Sequence, residues 1–395
     1  MDRPLQGIRV LDLGHVLAMP TCTMQLADLG AEVIKIEKPG KGDDTREFGP
    51  FINGESAYFI SINRNKKSMT LDLKKEKGKR IFKELVKVSD VVAENYRPNT
   101  MQKLGLYYET LKEINPRIIY ASISGFGHKS IYQERPGYDI IAQATGGIMH
   151  ITGQPDEPPT RVGSSIGDIF SGCYATICIL AALRVRDKTG IGQQIDISMM
   201  DAVVSVLENA IVRYTAANEI PMRIGSRHPS IAPFDVFKAK DGWVTIAVGN
   251  DSLWERFCHA IGKESLIFDD CFCTNDLRSL NYDQLKPIIT EWSKRITIKE
   301  ILNILEKAGV PVGEVNTVDK ILEDPNIKLR EMIIELQHPR AGAVKIANTP
   351  LRLSETPAKI ETASPLLGQH TDELLNNLLG YTQEKISELR ASEII

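Results

Sequence analysis

Asp168 is the residue whose type and position offer the clearest chemistry in this sequence. It follows Gly167 in residues 161–171, RVGSSIGDIFS, and begins a long apolar helical pattern that continues to about Arg186. A carboxylate in the first turn of a helix meets unpaired backbone N–H groups and the positive end of the helix dipole, so it stays ionised and oriented. Such a group is a candidate nucleophile. The same placement is also typical of a capping aspartate, which stabilises a helix by about 1 kcal/mol.

The elements around Asp168 predict an α/β architecture. Short apolar strands over residues 8–13, 32–36, 68–73, 90–94 and 117–124 alternate with helical patterns over residues 20–29, 74–88 and 106–114. Two further helices, one over 137–148 and one beginning at Asp168, precede a strand over 194–198 and a long helix over 199–217. Parallel strands with helical crossovers follow from this order. We therefore expect a Rossmann-like, doubly wound large domain.

A second, smaller α+β domain is expected after residues 223–233, RIGSRHPSIAP, which have the composition of a linker. Residues 234–248 alternate apolar and polar side chains around a Lys240-Asp241-Gly242 turn, which is typical of a hairpin. Helical spacing returns over 251–261, 283–294 and 298–308. We place the large domain at 1–225, the small domain at 226–325, and expect 326–395 to return to the large domain.

Composition excludes several classes of protein. The 395 residues are 42% hydrophobic and 25% charged, with a formal net charge of -3, so no overall charge favours nucleic acid or an acidic membrane. The amino-terminal residues lack a secretory pattern, and no window approaches eighteen consecutive apolar residues. The six cysteines are dispersed and the seven histidines lack metal-ligand spacing. We expect a soluble, cytoplasmic protein without a metal site, a nucleic-acid partner or a membrane partner.

The loops after the strands lack the common nucleotide and hydrolase motifs. Residues 14–20, GHVLAMP, are not the G-x-G-x-x-G of dinucleotide enzymes, and neither a P-loop nor a G-x-S-x-G elbow occurs. Basic residues nevertheless follow several strands, where open α/β sheets bind ligands, and Lys38, Arg97 and Lys103 would suit a ligand with several phosphates. They are equally compatible with a solvated surface. His15, in the first loop, is a candidate ligand contact or a structural hydrogen-bonding residue.

Motifs along nearly the whole chain help to decide between these alternatives. They are VLDLGHVLAMP, LADLGAEVIKIEKPGKGDDTR, INRNKKSMTLDLK, DVVAENYRPNTMQKLGL, NPRIIYASISGFG, PGYDIIAQATGG, RVGSSIGDIFSG, RHPSIAPFDVF, AVGND, AGVPVGEV and NTPLRLSETP. Together they resemble the class III CoA-transferase family (CaiB-BaiF type), which also contains formyl-CoA:oxalate transferases and α-methylacyl-CoA racemases. The combination of motifs is highly specific.

The resemblance implies roles for individual residues. Asp168 matches the nucleophilic aspartate, which would form an acyl-aspartyl anhydride and then an aspartyl-CoA thioester. Tyr138 and Met199 match positions that line the acyl site. Positions that contact coenzyme A are matched by His15, Val16, Ala18, Lys38, Asn95, Tyr96, Arg97 and Lys103. No permanently bound cofactor is implied, since the coenzyme A thioester is a substrate, and the resemblance implies a homodimer whose chains interlock.

Two departures narrow the activity within the family. The racemases have a histidine where this chain has Tyr138, and a phenol is a poor base at neutral pH. Formyl-CoA transferases have a run of glycines where this chain reads VGNDSLW, with Gly249 alone. We therefore expect transfer of CoA from an acyl-CoA donor, such as acetyl-CoA or succinyl-CoA, to a small carboxylic acid such as oxalate or another short dicarboxylate.

Several roles stay open at the level of sequence. Arg46, Arg223 and Arg227 are candidates for holding the substrate carboxylate, and the glycines at 125–127, 146–147 and 249 are candidates for stabilising an oxyanion. The alternative activities are an α-methylacyl-CoA racemase or epimerase of the same family, and a CoA-binding protein without catalysis.

Overall fold

The computed structural model describes residues 2–395, which form two compact units. The first unit contains the described residues up to Ile148 together with Val162–Ile211 and Pro325–Ile395, and the second contains Met149–Arg161 and Val212–Asp324. The boundary predicted at residue 225 falls inside the second unit. The reason is local, because the Arg223 guanidinium donates hydrogen bonds to the carbonyls of His150 and Glu157 and so ties the expected linker to residues 149–161.

Thirteen strands are formed by the described residues. In chain order they are β1 (Arg9–Leu13), β2 (Glu32–Glu37), β3 (Phe51–Ile52), β4 (Glu55–Ser56), β5 (Lys66–Thr70), β6 (Val91–Glu94), β7 (Ile119–Ser124), β8 (Gln194–Ser198), β9 (Phe234–Lys238), β10 (Trp243–Ala247), β11 (Val312–Glu314), β12 (Ile333–His338) and β13 (Gly342–Ala347).

Eighteen α-helices accompany these strands between residues 2 and 395. They are α1 (Ala18–Asp28), α2 (Ala57–Ile62), α3 (Glu76–Lys87), α4 (Thr100–Leu104), α5 (Tyr108–Ile114), α6 (Asp139–Thr145), α7 (Ile148–Ile151), α8 (Ile166–Thr189), α9 (Met199–Ser205), α10 (Ala210–Ala217), α11 (Asp251–Ala260), α12 (Asn275–Leu280), α13 (Tyr282–Ser293), α14 (Ile298–Lys307), α15 (Val318–Glu323), α16 (Pro325–Leu329), α17 (Thr371–Leu379) and α18 (Gln383–Ala391).

A six-stranded parallel sheet organises the first unit, as the alternation of strands and helices predicts. Its strand order is β5-β2-β1-β6-β7-β8, and every neighbouring pair is parallel. The order reverses between β1 and β6, since the chain moves outward from β1 in one direction and from β6 in the other. Such a reversal opens a crevice at the carboxyl ends of the two strands, where open α/β sheets bind ligands.

The two faces of the sheet are covered differently. Leu11, Leu13, Ile34 and Ile36 pack into a core with α3, α5, α17 and α18, which is how the carboxyl-terminal segment joins the first unit. The alternating residues of the same strands point to the opposite face, where α1 and α8 pack against each other. That second face carries buried charges, because Asp12 of β1 lies beside Lys35 of β2 in the sheet.

Helix α8 is the longest helix of the described chain. An 18-residue window within its 24 residues has a mean hydropathy of 1.8, which by length and composition alone would suffice to cross a membrane. In the structure it packs along α1 and against β7 and β8, as a core helix of the first unit does. Packing in the fold accounts for part of this apolar character, since 44% of that window is buried.

The helix predicted over residues 199–217 is wrong in one respect. The structure divides it into α9 and α10, and Glu208 between them has a φ of 57°. A non-glycine residue in the left-handed region cannot continue a right-handed helix. Neither glycine nor proline occurs between Met199 and Ala217, so the usual sequence signal for the break is missing.

The second unit is built on an antiparallel sheet in the order β11-β10-β9. The predicted hairpin is present, with Lys238 opposite Trp243 and Phe234 opposite Ala247. Buried apolar side chains of β9 and β10 pack with α11, α13 and α14 around Trp254. The unit thus has a hydrophobic core of its own.

Candidate active site

A cavity of about 330 Å³ opens at the carboxyl ends of β1, β6 and β7 in the first unit. Its size is in the ordinary range for small-molecule sites. Six segments contribute to its lining: the β1–α1 loop, the segment after β2, the segment after β6, the β7–α6 segment, the first turn of α8 and the start of α9. The lining residues are His15, Val16, Leu17, Ala18, Asp44, Asn95, Tyr96, Arg97, Pro98, Ile123, Ser124, Gly125, Arg135, Pro136, Gly137, Tyr138, Asp168 and Met199.

The first two loops are fastened to each other by Asn95. Its side-chain oxygen accepts a hydrogen bond from the His15 backbone N–H at 2.7 Å, and its amide nitrogen donates to the His15 carbonyl at 2.8 Å. The His15 ring nitrogen Nε2 lies 3.3 Å from the Tyr96 hydroxyl, and burial lowers the pKa of His15. A neutral imidazole therefore lines the cavity at neutral pH, which suits a hydrogen-bonding role.

Val16, in the same loop, has a φ of 60°. This conformation is an outlier for a β-branched residue and persists only where the surroundings impose it. The Val16 backbone N–H donates to the Asp43 carboxylate at 3.3 Å, and the same carboxylate oxygen accepts from the Thr45 N–H at 2.9 Å. Asp43 thus links the strained loop to the segment that follows β2.

A buried ion pair between Lys35 and Asp43 supports the β1–α1 loop. Lys35 Nζ lies 2.8 Å from the Asp43 carboxylate and donates to the Gly14 carbonyl at 2.6 Å, with both charged side chains at most 1% exposed. Burial alone would lower the pKa of Lys35, but the carboxylates of Asp43, Asp12 and Glu37 raise it. Burial alone would raise the pKa of Asp43, but Lys35 holds it well below the usual range. Both groups are therefore charged at neutral pH.

Asp168 lies in the first turn of α8, and Ser165 occupies the N-cap position of that helix. The carboxylate of Asp139, at the start of α6, accepts a hydrogen bond from the Gly167 N–H at 2.9 Å. Gln143 donates to Asp139 at 2.8 Å and accepts from the Val162 N–H at 2.9 Å. Asp139 and Gln143 thereby fix the segment that leads to Asp168. Ser165, and not Asp168, is therefore the N-cap residue of α8.

The β7–α6 segment approaches the end of β7 closely. A Cβ atom added to Gly125 would lie 2.9 Å from the Gly137 Cα atom, and one added to Gly137 would lie 2.7 Å from the Gly125 Cα atom. Only glycine fits at both positions. Of the glycines considered as oxyanion candidates, Gly125 is a lining residue, whereas Gly249 belongs to the second unit.

Comparison with known proteins identifies the family. The profile of CoA-transferase family III matches residues 5–371. The chain belongs to CoA-transferase family III. It is 39% identical over 394 residues to a human succinyl-CoA:glutarate CoA-transferase, covering 100% of this chain and 90% of the relative. It is 44% identical over 352 residues to an acetyl-CoA:oxalate CoA-transferase from Acetobacter aceti, covering 89% of each. A crystal structure of a CAIB/BAIF family protein from Brucella suis has a TM-score of 0.87 and 40% identity, covering 96% of this chain and 100% of that one.

As a family III CoA-transferase, the protein places nine of the sequence-predicted residues together. Those around the cavity are His15, Val16, Ala18, Asn95, Tyr96, Arg97, Tyr138, Asp168 and Met199. Lys38 and Lys103 are exposed and lie outside the described lining, Lys38 just after β2 and Lys103 in α4. Their proposed contact with coenzyme A stays a prediction.

The arginines chosen from the sequence as carboxylate holders have other partners. Arg46 donates from two nitrogens to the buried Glu37 carboxylate, each at 2.7 Å, and its guanidinium carbon lies 3.7 Å from the centre of the Phe59 ring. Arg46 is therefore committed to the interior and does not line the described cavity. Arg227 belongs to the second unit, where its guanidinium carbon lies 4.9 Å from the centre of the Tyr282 ring.

Arg135 is one of two charged lining residues, with Asp44, that the sequence analysis does not assign to the site. It precedes Pro136, Gly137 and Tyr138, and its guanidinium carbon lies 4.0 Å from the centre of the Tyr132 ring. The signal available in the sequence was its place directly before the PGYD motif. Arg135 follows neither a predicted strand end nor a predicted helix start, so its position in the sequence does not mark it as a site residue.

Proposed function

We propose that the protein moves CoA from an acyl-CoA donor to a short dicarboxylic acid through covalent intermediates on Asp168. The observation that carries this proposal is the place of Asp168 in the first turn of α8, at the wall of the switch-point cavity. The N–H groups and dipole of the helix start favour the ionised carboxylate that must attack. The two relatives named above act, by their names, on glutarate and on oxalate, which are both dicarboxylic acids.

In the proposed cycle a carboxylate oxygen of Asp168 attacks the thioester carbonyl of the donor, and the carbon–sulfur bond breaks to release CoA thiolate. The thiolate attacks the aspartyl carbonyl of the anhydride, which releases the donor acid and leaves an aspartyl-CoA thioester. The acceptor carboxylate attacks this thioester, and the thiolate leaves again. Attack of the thiolate on the acyl carbonyl of the second anhydride gives the product acyl-CoA and restores Asp168. No net proton is gained or lost.

The lining residues have roles that match this cycle. The loops that Asn95 fastens present Val16, Ala18 and Arg97 at the cavity, where a guanidinium suits the phosphates of coenzyme A. We propose that Lys38 and Lys103, outside the cavity, bind the phosphates at the far end of this long substrate. We assign Tyr138 and the buried Met199 to the acyl group, with Gly125 as a backbone candidate for the oxyanion.

The decisive test replaces Asp168 with Asn. We expect transfer activity to fall at least about 1000-fold while CoA binding persists, because the nucleophile is lost and the loops are not. Asp201 provides the matched control, since it is also an aspartate in the first turn of a helix, is exposed and lies outside the described lining. Asp201→Asn should retain normal transfer. Retention of more than a trace of transfer by Asp168→Asn would contradict the mechanism.

Trapping the intermediate separates an enzyme from a CoA-binding protein without catalysis. The wild-type protein is incubated with succinyl-CoA and then with hydroxylamine, which converts an activated aspartyl carbonyl to a hydroxamate. Mass spectrometry should find the modification on the peptide that contains residue 168. An unmodified peptide from a protein that binds succinyl-CoA would support the scaffold alternative.

The racemase alternative is disfavoured by Tyr138, which stands where the racemases have histidine and whose side chain is 70% exposed at the start of α6. We expect no exchange of the α-proton of a 2-methylacyl-CoA in deuterated water. Exchange at a rate comparable to transfer would reverse this preference.

We also propose the homodimer implied by the family resemblance. Helix α8 leaves Ile177 59% and Val185 48% exposed, and α6 leaves Ile140 48% exposed. Apolar surface of this kind favours burial against another chain. Light scattering at micromolar concentration should give twice the chain mass. If the chains interlock, two differently tagged preparations should exchange subunits only after unfolding.

A further inference from the structure

The cavity contains a second arginine, Arg135, and two carboxylates, Asp44 and Asp168. Arg97 and Arg135 both line it, and neither forms an ion pair with any residue between 2 and 395. Both are exposed, whereas the more buried Arg46 and Arg64 pair with Glu37 and Asp28, each at 2.7 Å. A guanidinium that faces a cavity without a carboxylate partner is available to an anionic ligand.

The segment that carries Arg135 is held in place on both sides. Glu134 accepts a hydrogen bond from Asn99 at 2.9 Å, which fastens the segment to the residues after β6. On the other side Gly137 touches Gly125 at the end of β7. The Arg135 guanidinium stacks on Tyr132, which occupies its face and leaves the N–H groups at its edge free to bind a ligand. The arginine is thus positioned before a substrate enters.

We propose that Arg135 binds the free carboxylate of a dicarboxylic substrate while the other end of that substrate reacts at Asp168. This inference rests on the proposed function and assigns the substrate class of its acyl site. A dicarboxylic acyl group places one carbonyl at Asp168 and a second carboxylate a few ångströms away in a partly desolvated cavity. That carboxylate needs a counter-charge, which the Arg135 fork beside Tyr138 supplies.

Arg97 and Arg135 have separate tasks in this arrangement. Arg97 follows β6 directly, on the side where Asn95 and Tyr96 form the predicted coenzyme A contacts. Arg135 lies in the segment that leads to Tyr138, which is predicted to line the acyl site. Selectivity for a second carboxylate therefore depends on Arg135, and affinity for every CoA thioester depends on Arg97.

The test compares two donors that differ by one carboxylate, succinyl-CoA and butyryl-CoA, in wild type and in Arg135→Gln. We expect the KM for succinyl-CoA to rise about 10- to 100-fold, as loss of a charged hydrogen-bond pair implies. The Kd for free CoA and the kcat/KM for butyryl-CoA should change less than about twofold. Arg135→Lys should be intermediate, because it keeps the charge without the fork.

Two further variants make the outcome specific. Arg97→Gln should weaken both donors and free CoA equally. Arg117→Gln changes an exposed arginine before the amino-terminal end of β7, away from the cavity, and should leave all constants unchanged. An equal loss for both donors in Arg135→Gln, or a weaker Kd for free CoA, would show that Arg135 contacts coenzyme A and would overturn the inference. Wild-type protein that forms no Asp168 adduct would instead refute the proposed function.

Discussion

Replacing Asp43 with Asn would keep the shape of the side chain and remove the charge that Lys35 faces inside the first unit. In the wild type the two groups lie 2.8 Å apart, with Lys35 1% and Asp43 0% exposed. The side-chain oxygen of the introduced asparagine would still accept from the Val16 and Thr45 N–H groups, as Asp43 does at 3.3 and 2.9 Å. The substitution therefore tests the charge and spares the hydrogen bonds of the loop.

The expected cost follows from leaving a buried ammonium without its nearest anion. Breaking a buried ion pair on one side destabilises a protein by about 3–5 kcal/mol. Lys35 would keep the Gly14 carbonyl at 2.6 Å and the charges of Asp12 and Glu37, which also raise its pKa. We therefore expect the lower end of that range, about 3 kcal/mol. This is a large fraction of the stability of an ordinary domain.

The cost should depend on pH with a definite sign. Without Asp43 the balance of burial and charge at Lys35 shifts toward burial, so its folded-state pKa falls toward or below the unfolded value. A lysine with a depressed pKa releases its proton on folding, so stability rises with pH between the folded and unfolded pKa values. The destabilisation caused by Asp43→Asn should therefore shrink as the pH approaches about 10, near the ordinary pKa of a lysine.

Hydrogen exchange of the β1 and β2 amides reports the stability of the first unit directly. The double variant Lys35→Met/Asp43→Asn removes the stranded charge and should recover about 2 kcal/mol relative to Asp43→Asn alone. Glu109→Gln, which breaks an exposed ion pair with Lys112, should show no measurable change. If Asp43→Asn behaves like Glu109→Gln, or if the double variant is less stable than the single one, the buried pair does not support this loop.

Two further substitutions probe the same unit. Burial raises the pKa of Glu94 to about 8 from 4.5, so the folded state keeps a proton that the unfolded chain has lost, and the free energy of unfolding should fall by about 4 kcal/mol from pH 4.5 to 8. In Glu94→Gln the free energy of unfolding should no longer fall with pH. Hydrogen exchange measured across this pH range checks this. Gly172→Ala would place a Cβ atom 2.7 Å from the Ala18 carbonyl oxygen, where α8 meets α1. We expect a loss of about 1–3 kcal/mol despite the better helix propensity, whereas Gly163→Ala, with open space around it, should cost little in urea unfolding.

The sequence predicts the large sheet and most of the cavity because local patterns determine both. Apolar runs of strand length alternating with helical spacing specify a parallel sheet. The carboxyl ends of its strands then place His15, Asn95 and Tyr96 at one edge. The position of Asp168 at a helix start is likewise predicted from the local sequence alone. These features survive in the structure because local patterns specify the strands and helices, and the order of those elements sets which loops meet at the edge of the sheet.

The assignments of arginines depended on distant contacts, and there the sequence was a poor guide. Arg46 lies in a loop after a strand, as a phosphate-binding residue would. The structure instead places its guanidinium against Glu37 and the carbonyl of Pro365, from the opposite end of the chain. Arg135 is the opposite case, because it lines the cavity although the sequence analysis does not predict it. No local sequence pattern distinguishes a guanidinium stacked on Tyr132 from a solvated one.

The division between buried and cavity-facing cations changes how kinetic data on this protein should be interpreted. Lys35 and Lys66 are buried against Asp43 and Asp12, and Lys35 reaches the cavity only through the loop that contains Gly14 and Val16. Substitution of either lysine would displace that loop and raise the KM for an acyl-CoA without any lost substrate contact. Such a variant should also lose stability in proportion. Substitution of a cation that binds substrate, as proposed for Arg135, should raise the KM while the free energy of unfolding stays constant. Both quantities must therefore be measured together.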